Sequence, residues 1–145
     1  MSPSLTFRKA GPADAPRLAI LNQQLIQDEG HRNPMTLAEL EERMREWLNG
    51  EYAACQFLAG EAVCGYALYR HEPDWVYVRQ FFVTRDRRRA GLGQTALAWL
   101  RQHAWADARR IRLDVLVGNQ AGIAFWKACG FQEYCLTMES ENIRL

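Results

Sequence analysis

The sequence has no C-x-x-C pair and no cysteine–histidine spacing that suits a metal, although it carries four cysteines. No metal site is expected. Cys55, Cys64, Cys129 and Cys135 each have apolar neighbours and read as small buried hydrophobes. No apolar run approaches membrane-spanning length, and the first residues lack a signal-peptide core, so the expectation is a cytoplasmic chain without a membrane partner. Net charge is only +1, too little for whole-molecule attraction to nucleic acid. Internal repeats, low-complexity tracts and long linkers are also missing. At 145 residues, 48% hydrophobic and 24% charged, the chain reads as one globular domain over residues 1–145.

Hydrophobic periodicity supplies the elements. Leu5 to Arg8 alternates apolar and polar, as a half-buried first strand does. Pro12 and Asp14 punctuate the start of a helix with Leu18, Leu21, Leu25 and Ile26 at helical spacing, and Gly30 ends it. After a polar loop, Thr36 and Glu39 form a capping-box pattern for a second helix with Leu37, Leu40, Met44, Trp47 and Leu48 on one face. Residues 52–59 and 62–70, separated by an Ala59-Gly60-Glu61 turn, read as a β-hairpin. The Pro73-Asp74 turn adds a third antiparallel strand over 75–83. A helix over 91–106, a strand over 111–117, a helix over 119–129 ended by Gly130, and a final strand over 131–138 complete the order β-α-α-β-β-β-α-β-α-β.

The stretch Arg87-Arg88-Arg89-Ala90-Gly91-Leu92-Gly93-Gln94-Thr95 joins an apolar strand to a helix start. Such a turn aims several backbone N–H groups at one point, and the helix dipole adds positive potential, so it suits an anion. Two glycines let the main chain approach a phosphate closely. The arginines from Arg85 to Arg89 read either as a solvated basic loop or as steering for an anionic ligand. A P-loop is excluded, because the Lys-Ser/Thr pair that closes that motif is missing. Gly91-x-Gly93-x-x-Ala96 formally fits the dinucleotide fingerprint, with Asp114 as the ribose acid. Two features oppose it: seven residues, four of them arginine, separate Val83 from Gly91, and Asp114 lies inside the 111–117 strand rather than at its end.

Arg88-x-x-Gly91-x-Gly93 resembles the pyrophosphate loop of the GNAT family of N-acetyltransferases, with Phe81-Phe82-Val83 on the preceding strand at the family's spacing. Asn119-x4-Ala124-Phe125-Trp126-x3-Gly130-Phe131 resembles its second signature, with Gly122 where alanine is usual and Trp126 where tyrosine is frequent. The resemblance implies an α/β fold with a mixed central sheet and helices on both faces, and acetyl-CoA as co-substrate in a cleft between the fourth and fifth strands. By the same resemblance, the main chain of Phe81, Phe82 and Val83 would pair with the pantetheine amides. Amides from Arg88, Arg89, Ala90, Gly91, Leu92 and Gly93, with Gln94 and Thr95, would hold the diphosphate. Asn119 would bond the pantetheine arm, or simply cap its helix, and Phe125 would pack beside the arm.

The implied reaction is attack of a small-molecule or peptide amine on a thioester, and a protonated amine must first lose a proton. Asp114 matches a strand position that carries an acid in some members, though an aspartate's ordinary pKa of about 3.9 makes it a weak base unless burial raises it or water relays the proton. A hydrogen bond to a neighbouring loop is the alternative role. Glu29 and His31, in the loop expected to line the acceptor site, are rival bases or solvated loop residues. Trp126 stands where a tyrosine often protonates the leaving thiolate, and an indole N–H cannot surrender its proton at neutral pH, which leaves Tyr134 or water. Arg79, near Trp75 and Tyr77, would attract a substrate carboxylate or face solvent. Homodimers are common in the family. A catalytically silent acyl-CoA-binding module is the rival function.

Overall fold

The computed structural model describes residues 4–30, 32–88 and 90–143. They fall into two compact units, residues 1–114 and 115–145. The first holds a five-stranded sheet in the order β1 (Thr6–Ala10), β2 (Tyr52–Ala59), β3 (Ala62–His71), β4 (Trp75–Val83) and β5 (Arg110–Leu113). All neighbours are antiparallel except β4 and β5, so the sheet is mixed. This topology opposes the dinucleotide reading, which needs a mostly parallel sheet, whereas here only the β4–β5 pair is parallel.

Helices cover both faces, for reasons visible in strand alternation. On one face α1 (Ala15–Glu29) and α2 (Leu37–Asn49) bury Leu18, Leu21 and Met44 against Ala10, Ala54, Tyr66, Leu68 and Phe82. The neighbouring strand positions point the other way. There Phe7 stacks on Trp99 of α3 (Leu92–Gln102) at 4.3 Å, and Phe57 packs against Phe7 and Phe81. Gly65 belongs to this packing: a Cβ there would lie 2.2 Å from the Phe82 carbonyl oxygen and 2.9 Å from the Phe57 ring. Only glycine lets β3 and β4 come this close.

Local signals hold where expected. Thr36 Oγ1 accepts from the Glu39 N–H at 3.2 Å, and Glu39 Oε1 accepts from the Thr36 N–H at 2.9 Å. The two expected cap groups therefore satisfy each other's orphan donors. Cys55 and Cys64 are buried, and burial pushes the Cys55 thiol up to about 11, so it stays protonated. Cys135, by contrast, is exposed and Cys129 half-buried, so the reading of all four as core hydrophobes fails for Cys135.

Three element boundaries depart from expectation. The helix expected over 91–106 begins at Leu92 because Gly91 sits at φ +77°, outside helical space. It ends at Gln102, and the following turn, in which the Trp105 N–H bonds the Leu100 carbonyl, returns Trp105 to the core against Tyr69. The fifth strand stops at Leu113 rather than at 117. Residues 131–138, expected as the last strand, adopt no regular structure, with Tyr134, Leu136 and Met138 more than three-quarters exposed. Composition gives a segment strand propensity, but a strand exists only where a ladder partner accepts it.

The second unit is built around α4 (Gln120–Ala128), which has good stops at both ends. Asn119 Oδ1 caps it by accepting from the Gly122 N–H at 3.0 Å. A Cβ at position 122 would come within 2.5 Å of the Asn119 amide, so a larger residue there would require the cap side chain to shift. At the other end Gly130 takes φ +93°, the Phe131 N–H reaches the Trp126 carbonyl, and the Gly130 N–H reaches that of Lys127. This is a Schellman stop, and the Trp126–Phe131 ring contact at 5.1 Å supplies its usual apolar clasp. The Gly130-Phe131 pair of the sequence signature is thus a helix terminator in its own right.

Candidate functional site

The candidate site is organised by a break in the middle of β4. The parallel ladder with β5 runs from Trp75↔Arg110 to Val78↔Leu113 and ends there. At the same point the ladder with β3 skips a residue: Tyr69 pairs with Val78 and Leu68 with Gln80, leaving Arg79 as a β-bulge. A bulge bends its strand and re-aims its side chains. Val76 and Val78 are buried on the α3 side, whereas Tyr77, Arg79 and Gln80 all meet groups on the α1–α2 side. From Arg79 to Val83 the ladder continues with β3 alone. Phe81 packs on Phe57, Phe82 is buried, and Val83 is half-buried at the strand end.

The turn after β4 leads to the start of α3. The first N–H groups of a helix lack intrahelical acceptors, and here no side chain caps them. The first helical bond runs from the Thr95 N–H to the Gly91 carbonyl at 3.0 Å. Ala90, Gly91, Gln94 and Thr95 are exposed, Gly93 is half-buried in the first turn, and Leu92 is a core residue. A Cβ at Gly91 would meet nothing within 4 Å, so glycine is required there by backbone angle, not by space.

The arginines of this turn are less available than the sequence suggested. Arg85 and Arg88 both bond the carboxylate of Asp28 in the last turn of α1, Arg88 at 2.5 Å, and Arg88 Nε also donates to the Val83 carbonyl at 2.9 Å. Burial would raise the Asp28 carboxyl, but hydrogen bonds and charge from Arg88 and Arg85 outweigh it and hold the group below its ordinary range. The pair therefore clamps the turn to α1 and to the end of β4. Asp28 escaped the sequence reading. Its one signal was an acid at a helix C-terminus, where the dipole disfavours it unless a cation answers. Arg89 and His31 lie outside the described residues.

On the α1–α2 side, Asp114 is the first residue past β5, exposed, with Oδ2 accepting from the Tyr77 hydroxyl at 2.9 Å. One of the two objections to the dinucleotide reading, that Asp114 lies within a strand, is thereby withdrawn; the long arginine-rich spacer and the sheet topology still stand. Burial, then the hydrogen bond and charge of Asp114, push Tyr77 up to about 12, so it remains a donor at neutral pH. Arg79 donates weakly to the Tyr52 hydroxyl at 3.4 Å and lies 4.7 Å from the Trp47 ring centroid. Deeper in, the Tyr66 hydroxyl donates to Gln80 Oε1 at 2.7 Å. Glu29, half-buried at the end of α1, is near enough to Tyr66 for its charge to help keep that phenol protonated, after burial itself.

The remaining sequence candidates belong to the second unit. Asn119 caps α4, Phe125 and Trp126 are half-buried and pack edge-to-face at 5.0 Å, and Tyr134 is 77% exposed. Among the described residues, no group of three or more His, Cys, Asp or Glu side chains could hold a metal, and no helix is long and apolar enough to cross a membrane.

Several solved structures are similar over nearly the whole chain. A possible acetyltransferase from Clostridium difficile 630 aligns with a TM-score of 0.80 at 14% identity, covering 97% of this chain and 99% of that one. An aminoglycoside N-acetyltransferase in complex with CoA aligns at 0.75 and 16%, covering 97% and 96%. A ribosomal-protein-alanine N-acetyltransferase from Brucella melitensis biovar Abortus 2308 aligns at 0.70 and 14%, covering 98% and 100%. Identities this low carry the fold alone. No curated protein sequence matches. The sequence model of the acetyltransferase (GNAT) family matches residues 22–131, most of the chain and both signatures. This chain belongs to the GNAT family of acetyltransferases.

Proposed function

We propose that the protein is an acetyl-CoA-dependent N-acetyltransferase, a single domain that acetylates a primary amine of a small molecule or peptide by direct attack in a ternary complex. The observation that carries this reading is the coincidence of three features: the β4–β5 ladder ends at Val78, β4 runs on to Val83, and the next helix opens at an uncapped glycine turn. That combination fits a ligand with an amide-bearing arm and a diphosphate. The main chain of Phe81 to Val83 would take the arm, and the amides of Leu92, Gly93 and Gln94 the diphosphate. Arg88 acts through its clamp on Asp28 and Val83 as well as through charge. Bound acetyl-CoA supplies the thioester acyl group and a thiol leaving group.

Asp114 is the proposed proton acceptor for the amine. Tyr77 orients it by donating to Oδ2, which leaves Oδ1 to face the acceptor or an intervening water. Tyr134 is the proposed acid, with water as its substitute, since the Trp126 indole can donate a hydrogen bond but not a proton. Trp126 also motivates the second reading, a silent acyl-CoA-binding module. Both predict coenzyme A binding, and only the enzyme releases free thiol when an amine panel is supplied with acetyl-CoA. Thiol release with no member of the panel, by a protein that still binds coenzyme A, would select the silent module. For Asp114, the acid limb of the pH–rate profile should disappear in Asp114→Asn; an unchanged limb assigns the base elsewhere.

A further inference from the structure

Among the described residues, two arginines on the α1–α2 face have no carboxylate partner. Arg43 of α2 and Arg79 of the β4 bulge lie 4.4 and 4.7 Å from the centroid of the same Trp47 ring. Two neighbouring charged groups are answered: Arg70 pairs with Glu72 at 2.5 Å, and Asp114 accepts from the Tyr77 hydroxyl. Arg43 reaches only the Asn22 amide oxygen, at 3.2 Å, and its Nε is buried with no acceptor among the described residues. Asn22 is fully buried, and its Nδ2 also lacks an acceptor among the described residues. Burial and the repulsion of Arg79 lower the affinity of Arg43 for its proton. Arg79 is exposed and Arg43 half-buried, and the charge of Arg79 weighs on Arg43; an anion arriving beside them relieves that repulsion.

The coenzyme's diphosphate is not that anion, because its proposed seat is the α3 turn beyond Val83, whereas Arg79 lies at the opposite end of the open stretch of β4. We infer that Arg43 and Arg79 form a carboxylate subsite of the acceptor site, so that the amine acetylated is one that also carries a carboxylate, an amino acid in the chemical sense. This rests on the acetyltransfer reading for the location of the acceptor. It adds a class: polycationic amines meet repulsion here, and amino acids meet a charge-assisted pair of donors.

The test uses free L-amino acids with α- and side-chain amines, their carboxamides, and a polyamine. Thiol release with acetyl-CoA is the first readout. The amino acids should exceed their carboxamides by about tenfold or more in kcat/KM, mainly through KM, as one charge-assisted hydrogen bond implies. Arg79→Gln should collapse that ratio to within about threefold, Arg79→Lys should restore part of it, and Arg45→Gln, an exposed α2 control paired with Glu41 and Glu42, should leave the ratio intact. The second readout needs no turnover: side-chain Nε–H NMR signals of Arg43 and Arg79, titrated with amino acid and with carboxamide. Shifts on the acid alone support the subsite even if acetyl transfer fails. Equal turnover of acid and carboxamide, preference for the polyamine, or signals unmoved by the acid would overturn it.

Discussion

The two halves of β4 behave differently. From Trp75 to Val78 the strand is bonded on both edges, to β3 and to β5, and alternates in the ordinary way with Val76 and Val78 in the core. From Arg79 to Val83 it keeps only the β3 ladder, after a bulge that puts Arg79 and Gln80 on one face. The first half is tied into the sheet on both edges and carries Tyr77 to Asp114; the second leaves one main-chain edge without a ladder. Ending one ladder while continuing the strand is an economical way to present main chain to a ligand without dissolving the sheet.

The comparison can be broken most severely at Gly65, which lets the second half stay on β3. Gly65→Ala would drive a Cβ into the Phe82 carbonyl, and overpacking against backbone costs about 3 kcal/mol or more. Urea denaturation should show a large loss of stability, and a near-neutral result would mean the β3–β4 spacing is not set by Gly65. Gly91→Ala is milder: the left-handed angle costs about 1 kcal/mol in a non-glycine residue, with open space for the methyl. Gly93→Asp sharpens it, since that residue lies in the first helical turn. Coenzyme A affinity by calorimetry should fall at least tenfold for Gly93→Asp in a still-folded protein and much less for Gly91→Ala.

Asp28→Asn tests whether the clamp, rather than charge alone, fixes the turn. The Asp28 carboxyl is held below its unfolded value, so it contributes stability above the ordinary carboxylate range and loses it as pH falls through the lowered value. Native protein should be more stable than Asp28→Asn near neutrality, and the gap should close as acid protonates Asp28. A gap that persists in strong acid would separate the effect from this ion pair. The smallest effect is expected at the scaffold end: Thr36→Ala should cost about 1 kcal/mol by losing a helix cap and leave coenzyme A affinity alone.

Legibility in the sequence followed the range of the interaction. The Thr36–Glu39 box and the Gly130 stop are decided within a few residues and were readable, whereas the left-handed Gly91, which starts its helix one residue late, was not read. The Asp28–Arg88 clamp joins residues 60 apart, and no local pattern announces it. The Arg79 bulge depends on cross-strand register, which the apolar run over 76–83 hides because both of its halves look alike. The 131–138 segment erred the other way: its aromatic and apolar residues suit a strand, but composition does not name a ladder partner. The resemblance supplied the fold and the turn's expected ligand class, and Arg79 was already a candidate for a substrate carboxylate, while Trp47, Tyr52 and Arg43 around it came only from the structure.

Amide hydrogen exchange with and without coenzyme A tests the account most directly. The account predicts slowed exchange along residues 79–83 and 91–94 when the ligand is added, with residues 75–78, already laddered on both edges, unchanged. Tight binding that leaves both the second half of β4 and the α3 turn exchanging at their original rates would contradict it.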